Sequence, residues 1–128
     1  MTSYFENLKG HQFMSLTTFR RSGEPVATPV WFVDTGDRLW MTTALNAGKI
    51  KRIRHTPRVT VAPCKYDGTV LGPAVEAEAR ILPPEEHPAA LAALKKKYGV
   101  QWFLFVTLRN LFGRQRTEAT FLEITPVG

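Results

Sequence analysis

The residues best suited to chemistry lie in the stretch 42–61, which reads TTALNAGKIKRIRHTPRVTV. A predicted strand ends there, a turn of small residues follows, and a basic helix begins near Gly48 and Lys49. A helix N-terminus exposes unpaired N–H groups and a partial positive charge, so it binds phosphate, and glycine lets the backbone approach closely. A lysine in the first turn opposes the helix dipole unless an anion lies beside it. The pattern indicates a phosphate site at Lys49, and the alternative is a solvated basic face formed by Lys49, Lys51, Arg52 and Arg54.

Two neighbouring segments extend this candidate site. Thr42 and Thr43 end the preceding strand, where their hydroxyls would reach the same phosphate or a polyol chain attached to it. Ordinary β-propensity is the alternative explanation for both. The segment TPVW at 28–31 contains a proline that cannot donate to a sheet ladder, which predicts an edge strand or a bulge where a flat ligand would lie. The alternative there is that the aromatic residues of this region fill the core.

Nucleophilic catalysis and metal binding find little support in the sequence. His11, His55 and His87 lack the spacing to Cys64 or to a serine that a catalytic triad requires. Cys64 is the single cysteine, so we interpret it as a small buried apolar side chain, and no group of Cys and His residues has zinc-site spacing. A redox cofactor would bring its own chemistry, so the lack of these motifs is compatible with a cofactor enzyme.

Composition narrows the class of partner. Seventeen basic and eleven acidic residues give a formal net charge of +6, which favours an anionic partner, either nucleic acid or a phosphorylated or polycarboxylate small molecule. A length of 128 residues with 44% hydrophobic content predicts one domain over 1–128. The sequence lacks an apolar signal core and an apolar run of membrane length, and with its lone cysteine this predicts a cytoplasmic protein with no membrane partner.

Short runs of β-branched and aromatic residues between turn signals predict a mainly β, α+β fold. The clearest strand alternates Val75, Ala77, Ala79 and Ile81 inward with charged residues outward. Asn46 is the predicted N-cap of the basic helix, and Gly99 is the predicted C-cap of the helix 85–98. The predicted strand 25–33 is apolar on both faces, which a dimer would explain. The six predicted strands are 13–21, 25–33, 38–43, 58–65, 74–82 and 117–125, and the predicted helices are 47–55, 85–98 and 101–112.

The order of these elements resembles the pyridoxamine phosphate oxidase-like split β-barrel family, and within it the flavin/deazaflavin oxidoreductases that use coenzyme F-420. The resemblance covers most of the chain from Phe13 onward, through SLTTFRRSGEPVATPVWFV, LWMTTALNAGKIKRIRHTPRVTVAP and AVEAEARIL. Its most specific part is the lysine shortly after strand three, followed by a short helix and the TPRV entry into strand four. It implies a six-stranded split β-barrel with short flanking helices, in a homodimer with cofactor sites at the subunit interface.

The resemblance also implies roles for individual residues. Lys49 would bind the cofactor phosphate, aided by Gly48, Thr42 and Arg52. The segment Thr28, Pro29 and Val30 would run along the deazaflavin ring. The oligoglutamate tail of coenzyme F-420 would give the further basic residues an anionic partner, among them Arg54, Arg109, Arg114 and Arg116.

One departure and several alternatives remain open at this point. Ala47 stands where related chains often place an arginine that assists the phosphate. FMN is the nearest competing cofactor, because FMN-binding members share the fold, whereas a heme site lacks a well-placed histidine. The expected activity is hydride transfer from reduced deazaflavin to an unsaturated or quinone-like small molecule. Alternatives from other classes are a nucleic-acid-binding β-barrel and a cofactor-binding protein without turnover.

Overall fold

An antiparallel sheet curled into a half-barrel forms most of the protein, seen here in a computed structural model that describes residues 5–44, 47–102, 104 and 119–127. Two α-helices have defined bounds, α1 (Gly48–His55) and α2 (His87–Tyr98). Across the described residues the sheet has seven strands in the order β2-β1-β5-β6-β7-β4-β3. These strands are β1 (Phe13–Phe19), β2 (Pro25–Trp31), β3 (Val33–Asp34), β4 (Leu39–Ala44), β5 (Arg58–Cys64), β6 (Val75–Ile81) and β7 (Ala119–Pro126).

The predicted strand 25–33 is two strands, so the sheet has seven strands and the predicted number of six was wrong. The break falls at Phe32, whose backbone bonds to α2 instead of the sheet ladder. Its N–H donates to the Tyr98 hydroxyl at 2.9 Å, and its carbonyl accepts from Lys97 Nζ at 2.7 Å. Past this point the chain pairs with β4, where Val33 lies opposite Trp40. The mainly β, split-barrel fold class is confirmed.

Two hydrophobic clusters lie on opposite faces of the sheet. The cluster inside the curl includes Met14, Leu16, Met41 and Leu122, and the other lies between the outer face and α2. The alternation of β4 explains the division, because Met41 faces the inner cluster while Trp40 packs against the outer one. The outer cluster consists of Leu82, Ala90, Leu94, Tyr98 and Phe121, with Trp31, Val33, Trp40, Leu91 and Trp102 packed against it.

Part of the apolar outer face of β2 is covered by α2 of the same chain. Trp31 stacks on Tyr98 with ring centroids 4.4 Å apart and planes 11° apart, so α2 covers this end of the strand. Ala27 and Pro29 on the same face are exposed. The placement of β2 at one end of the sheet order confirms the edge strand that Pro29 predicts. A homodimer stays a prediction.

The helices follow their sequence signals with two differences. Ile50 and Ile53 of α1 are buried against the inner cluster, as their spacing predicts. The N-cap of α1 is Ala47, not the predicted Asn46, and no side chain caps the helix. Gly99 ends α2 with a φ of 52° while its N–H bonds to the Lys95 carbonyl, which confirms the predicted glycine C-cap. Of the predicted helix 101–112, residues 101, 102 and 104 are helical, and the rest lies outside the described residues, as do Asn46, Arg109, Arg114 and Arg116.

Candidate cofactor-phosphate site

Lys49 lies half-buried in the first turn of α1. Its Nζ donates a hydrogen bond to Thr43 Oγ1 at 3.3 Å. Burial lowers the pKa of Lys49, and the nearby Arg52 charge lowers it further. The first turn of α1 contains no acidic residue. The lysine therefore raises the positive potential at a helix end that is already positive.

Arg52 lies one turn further along α1, and its side chain extends back to Gly48 at the start of the helix. Its Nε donates to Thr18 Oγ1 at 2.6 Å, and the Thr18 side chain is buried, with the residue 1% exposed. Its terminal nitrogen Nη1 lies 2.8 Å from the position that a Cβ at Gly48 would occupy. The guanidinium is thus folded back over the N-terminus of α1. Neither Lys49 nor Arg52 forms a salt bridge with any carboxylate of the described residues.

The two threonines of β4 separate, because successive residues of a strand face opposite sides. Thr43 contacts Lys49, whereas Thr42 donates from its Oγ1 to the Thr120 carbonyl on β7 at 3.0 Å. The structure thus brings together Lys49, Gly48, Arg52 and Thr43. It places the hydroxyl of Thr42 on β7 instead.

The β2 residues predicted to contact the cofactor ring also alternate between the two faces of the sheet. Thr28 pairs with Leu16, and Val30 pairs with Met14, so both side chains share the face of the inner cluster. Both are half-buried, while Pro29 points the other way and is exposed. Thr28 and Val30 are therefore the two members of this segment that line the concave side of the sheet.

A basic cleft of about 480 Å³ adjoins the start of α1. Arg21 Nη2 donates toward the His55 ring, with Nε2 and Nδ1 at 3.0 and 3.3 Å. No acidic residue of the described chain lines the cleft, so its electrostatics favour an anion. Its lining consists of Phe19, Arg20, Arg21, Gly48, Lys51, Arg52 and His55.

A larger cleft of about 800 Å³ has a mixed lining. Glu6 and Asp34 contribute carboxyl groups, and Lys9 and Lys97 contribute amines. The Lys97 ammonium lies 3.6 Å from the centroid of the Phe32 ring. Because charges of both signs line it, this cleft does not select for an anion as the cleft beside α1 does.

Within the described residues, the Cys64 thiol is not activated and no metal-binding cluster is found. Cys64 is buried, and burial raises the pKa of its thiol, with a smaller contribution from Asp67. A buried protonated thiol is unreactive. No group of three or more His, Cys, Asp or Glu residues within residues 5–44, 47–102, 104 and 119–127 could hold a metal ion. Among the helices that the structure describes, none is both long and apolar enough to cross a membrane.

One residue of the candidate site was not predicted from the sequence, namely Thr18, which accepts a hydrogen bond from Arg52. The signal that identifies it is its phase in β1, where Met14 and Leu16 face the inner cluster and Thr18 is next in the alternation. A polar side chain at a core-facing position requires a hydrogen-bond partner.

Comparison with known proteins supports this arrangement of elements. The sequence profile of the pyridoxamine 5′-phosphate oxidase family matches residues 3–128. The chain belongs to the pyridoxamine 5′-phosphate oxidase family. No curated protein sequence matches the chain.

Several solved structures share the fold of this pyridoxamine 5′-phosphate oxidase family member. An FAD-binding protein from Mesorhizobium loti is 16% identical, with a TM-score of 0.65 over 96% of this chain and 86% of that one. An F420 reductase is 18% identical, with a TM-score of 0.55 over 100% and 97% of the two chains. HutZ, a heme storage protein from Vibrio cholerae, is 12% identical, with a TM-score of 0.59 over 100% and 92%. These TM-scores show a shared fold, and the three proteins are described as FAD-binding, as an F420 reductase and as a heme storage protein.

Proposed function

We propose that the protein is a flavin-type oxidoreductase that holds the phosphate of coenzyme F-420 at the start of α1. The observation that carries the proposal is the convergence of Lys49 and Arg52 on one helix end, with no carboxylate of the described residues paired to either. Two neighbouring cations repel each other without an anion between them, so such a pair favours ligand binding over stability.

The residues at this end fit a phosphate. Lys49 would supply a point charge and Arg52 a planar donor group, while the uncapped N–H groups of α1 would supply further donors. Thr43 would orient the Lys49 ammonium through the bond it already accepts. On the concave side of β2, Thr28 and Val30 would lie along the cofactor ring. When bound, the deazaflavin supplies the hydride, and the chain holds and orients it.

The basic cleft beside α1 favours coenzyme F-420 over FMN. A single phosphate at Lys49 and Arg52 leaves Arg20, Arg21 and Lys51 without an anionic partner, whereas the oligoglutamate tail of coenzyme F-420 would give them one. Structures with this fold include an FAD-binding protein, an F420 reductase and a heme storage protein, so the fold does not select the cofactor. The charge of the cleft is the argument that the present residues add. FMN remains the competing cofactor.

A titration with coenzyme F-420 and with FMN in parallel tests the assignment. Cofactor fluorescence reports binding, and Lys49→Ala should weaken it by roughly 10-fold to 150-fold, since one charge-assisted contact contributes about 1.5–3 kcal/mol. Lys95→Ala is the matched control, because Lys95 is an exposed lysine in the last turn of α2. If Lys49→Ala binds as tightly as the parent protein and the control, Lys49 does not hold the phosphate.

Turnover needs its own measurement, because a binding protein without activity would pass the titration. Reduced coenzyme F-420 should be reoxidised by a quinone only when the protein is present, with two electrons transferred per quinone. We further propose that the substrate is an unsaturated or quinone-like small molecule and that the sites lie at the interface of a homodimer. A cytoplasmic location stays a prediction from the sequence.

The nucleic-acid alternative requires exposed aromatic side chains on which bases stack. Tyr66, at 77% exposure, is the aromatic member of the exposed large apolar side chains that the structure describes. Binding of a single-stranded oligonucleotide that weakens steeply with salt would support this alternative over the cofactor site.

A further inference from the structure

Two residues, Thr18 and Gly48, adjoin the guanidinium of Arg52, the second cation of the site, and the role inferred for them goes beyond the cofactor assignment on which it rests. We infer that Thr18 and Gly48 hold Arg52 as the second ligand of the cofactor phosphate, with the guanidinium occupying the space where a side chain at position 48 would lie. Arg52 would then supply the charge that Ala47 does not.

The bonding of Arg52 leaves its phosphate-binding atoms available. The Nε–H is used by Thr18 Oγ1, while no hydrogen bond of the described residues uses Nη1 or Nη2. A guanidinium presents its donors in a rigid fork that matches phosphate oxygens two at a time. Fixing Nε therefore fixes the direction of the remaining donors, and Nη1 lies over the start of α1 beside Gly48.

Thr18 is a positioning residue in this arrangement. It faces the inner cluster in line with Met14 and Leu16, where an apolar side chain would fit the alternation of β1. A buried hydroxyl is unfavourable without a partner, and its side-chain partner within the described residues is Arg52 at 2.6 Å. Valine has the same shape without the hydroxyl, so Thr18→Val removes the support while leaving the packing in place.

Gly48 acts here through its lack of a side chain and not through its backbone conformation. Its φ is not in the left-handed region, so alanine is compatible with its backbone. A Cβ there would lie 2.8 Å from Nη1 and 3.6 Å from Cζ of Arg52. These atoms are the far end of a flexible side chain, so Gly48→Ala would displace the guanidinium without disturbing the helix. Glycine weakens a helix relative to alanine, and the space it leaves for Arg52 offsets that disadvantage.

A double-mutant cycle on the full-length protein tests the inference by cofactor titration, with inorganic phosphate as competitor. Arg52→Ala should raise the Kd for coenzyme F-420 by roughly 10-fold to 100-fold, and Arg52→Lys should not restore it, because lysine lacks the fork. Gly48→Ala should raise the Kd about 3-fold to 10-fold in the parent and by less than about 2-fold in the Arg52→Ala background, since contacting residues couple. Inorganic phosphate should compete less well in every variant that loses or displaces the guanidinium.

Thr18 variants separate positioning from packing. Thr18→Val should raise the Kd about 3-fold to 10-fold, Thr18→Ser should bind like the parent, and neither should act further in the Arg52→Ala background. Urea unfolding of each variant checks the fold, and Gly48→Ala should be at least as stable as the parent.

The outcomes distinguish this inference from the function on which it rests. If Lys49→Ala weakens binding but Arg52→Ala does not, the phosphate site stands and the role of Arg52 is wrong. Equal effects of Gly48→Ala in both backgrounds would show that glycine acts through the helix and not through Arg52. If neither Lys49→Ala nor Arg52→Ala changes the Kd, the phosphate site itself is refuted.

Discussion

Replacing Lys49 by methionine should stabilise the ligand-free protein while it weakens cofactor binding. Lys49 lies in the first turn of α1, is half-buried, and has its pKa lowered by burial and by Arg52. A cation at this helix end costs about 0.3–1 kcal/mol against the dipole, and a like charge three residues away costs about 0.2–0.5 kcal/mol. These two costs sum to about 0.5–1.5 kcal/mol, and partial exposure and salt screening reduce them, so Lys49→Met should raise the free energy of unfolding by roughly 0.3–1 kcal/mol.

Urea unfolding of the ligand-free protein at low salt and neutral pH measures the change, with an unchanged m-value as the sign that the native state is the same. Lys51→Met is the matched control, since Lys51 is the exposed lysine two residues further along α1 and should change stability less. With cofactor at about 100 times its Kd, the parent gains about 2.7 kcal/mol and becomes the more stable protein. If ligand-free Lys49→Met is less stable than the parent by more than about 0.5 kcal/mol, the lysine is part of the fold and the reasoning fails.

Three further predictions concern hydrogen-bonded side chains outside the candidate site. Tyr98→Phe should lower the free energy of unfolding by about 2–3 kcal/mol in urea titrations, because it leaves the buried Phe32 N–H, now bonded to the hydroxyl at 2.9 Å, without a partner. Burial disfavours the charged form of Glu123, but hydrogen bonds from Trp40 and then Arg80 leave its pKa below its usual value. Its stabilising contribution is therefore present above about pH 4.5 and is lost as the pH falls through the folded pKa. Glu123→Gln should be destabilised at pH 7 in thermal unfolding, and the gap to the parent should narrow on acidification below about pH 4.5. Burial lowers the pKa of Lys97 to about 8. Between about pH 8 and 10 the unfolded chain therefore binds more protons than the folded protein, and the free energy of unfolding should rise with pH. In a series of urea midpoints measured against pH, Lys97→Met should flatten this rise.

Local patterns in the sequence predicted those elements whose cause is local. The alternation of β6 appears in the structure with Ala77 and Ala79 buried and the charged residues between them exposed. The end of α2 at Gly99 likewise depends on one residue that tolerates a positive φ. The break at Phe32 was missed because its cause is distant, since the groups that bond to its backbone lie on α2 at positions 97 and 98. An unbroken apolar run carries no sign of such a partner.

In the candidate site, too, features with a local cause were predicted from the sequence and features that depend on distant residues were not. The basic start of α1 is visible in the sequence because a first turn without acidic residues breaks a local preference. The different roles of Thr42 and Thr43 depend on which face of β4 each occupies, and a shift of one residue in register would exchange them. Thr18 was missed because its partner Arg52 lies 34 positions away, so only the folded chain shows that a threonine in an apolar alternation has a charged neighbour.

Binding of the cofactor phosphate and discrimination between cofactors depend on different residues of the proposed site. In the proposed site Lys49 and Arg52 would bind an oxyanion, and FMN and coenzyme F-420 both carry a phosphate, so these cations would not distinguish the two cofactors. Structures that share this fold include an FAD-binding protein, an F420 reductase and a heme storage protein, so the sheet itself does not distinguish them either. Discrimination must then come from groups beyond the phosphate. In the proposed site these would be Thr28 and Val30 on the concave face of β2 and the cations of the cleft beside α1. The cleft would favour the cofactor with more negative charge, through residues that a single phosphate would leave unused.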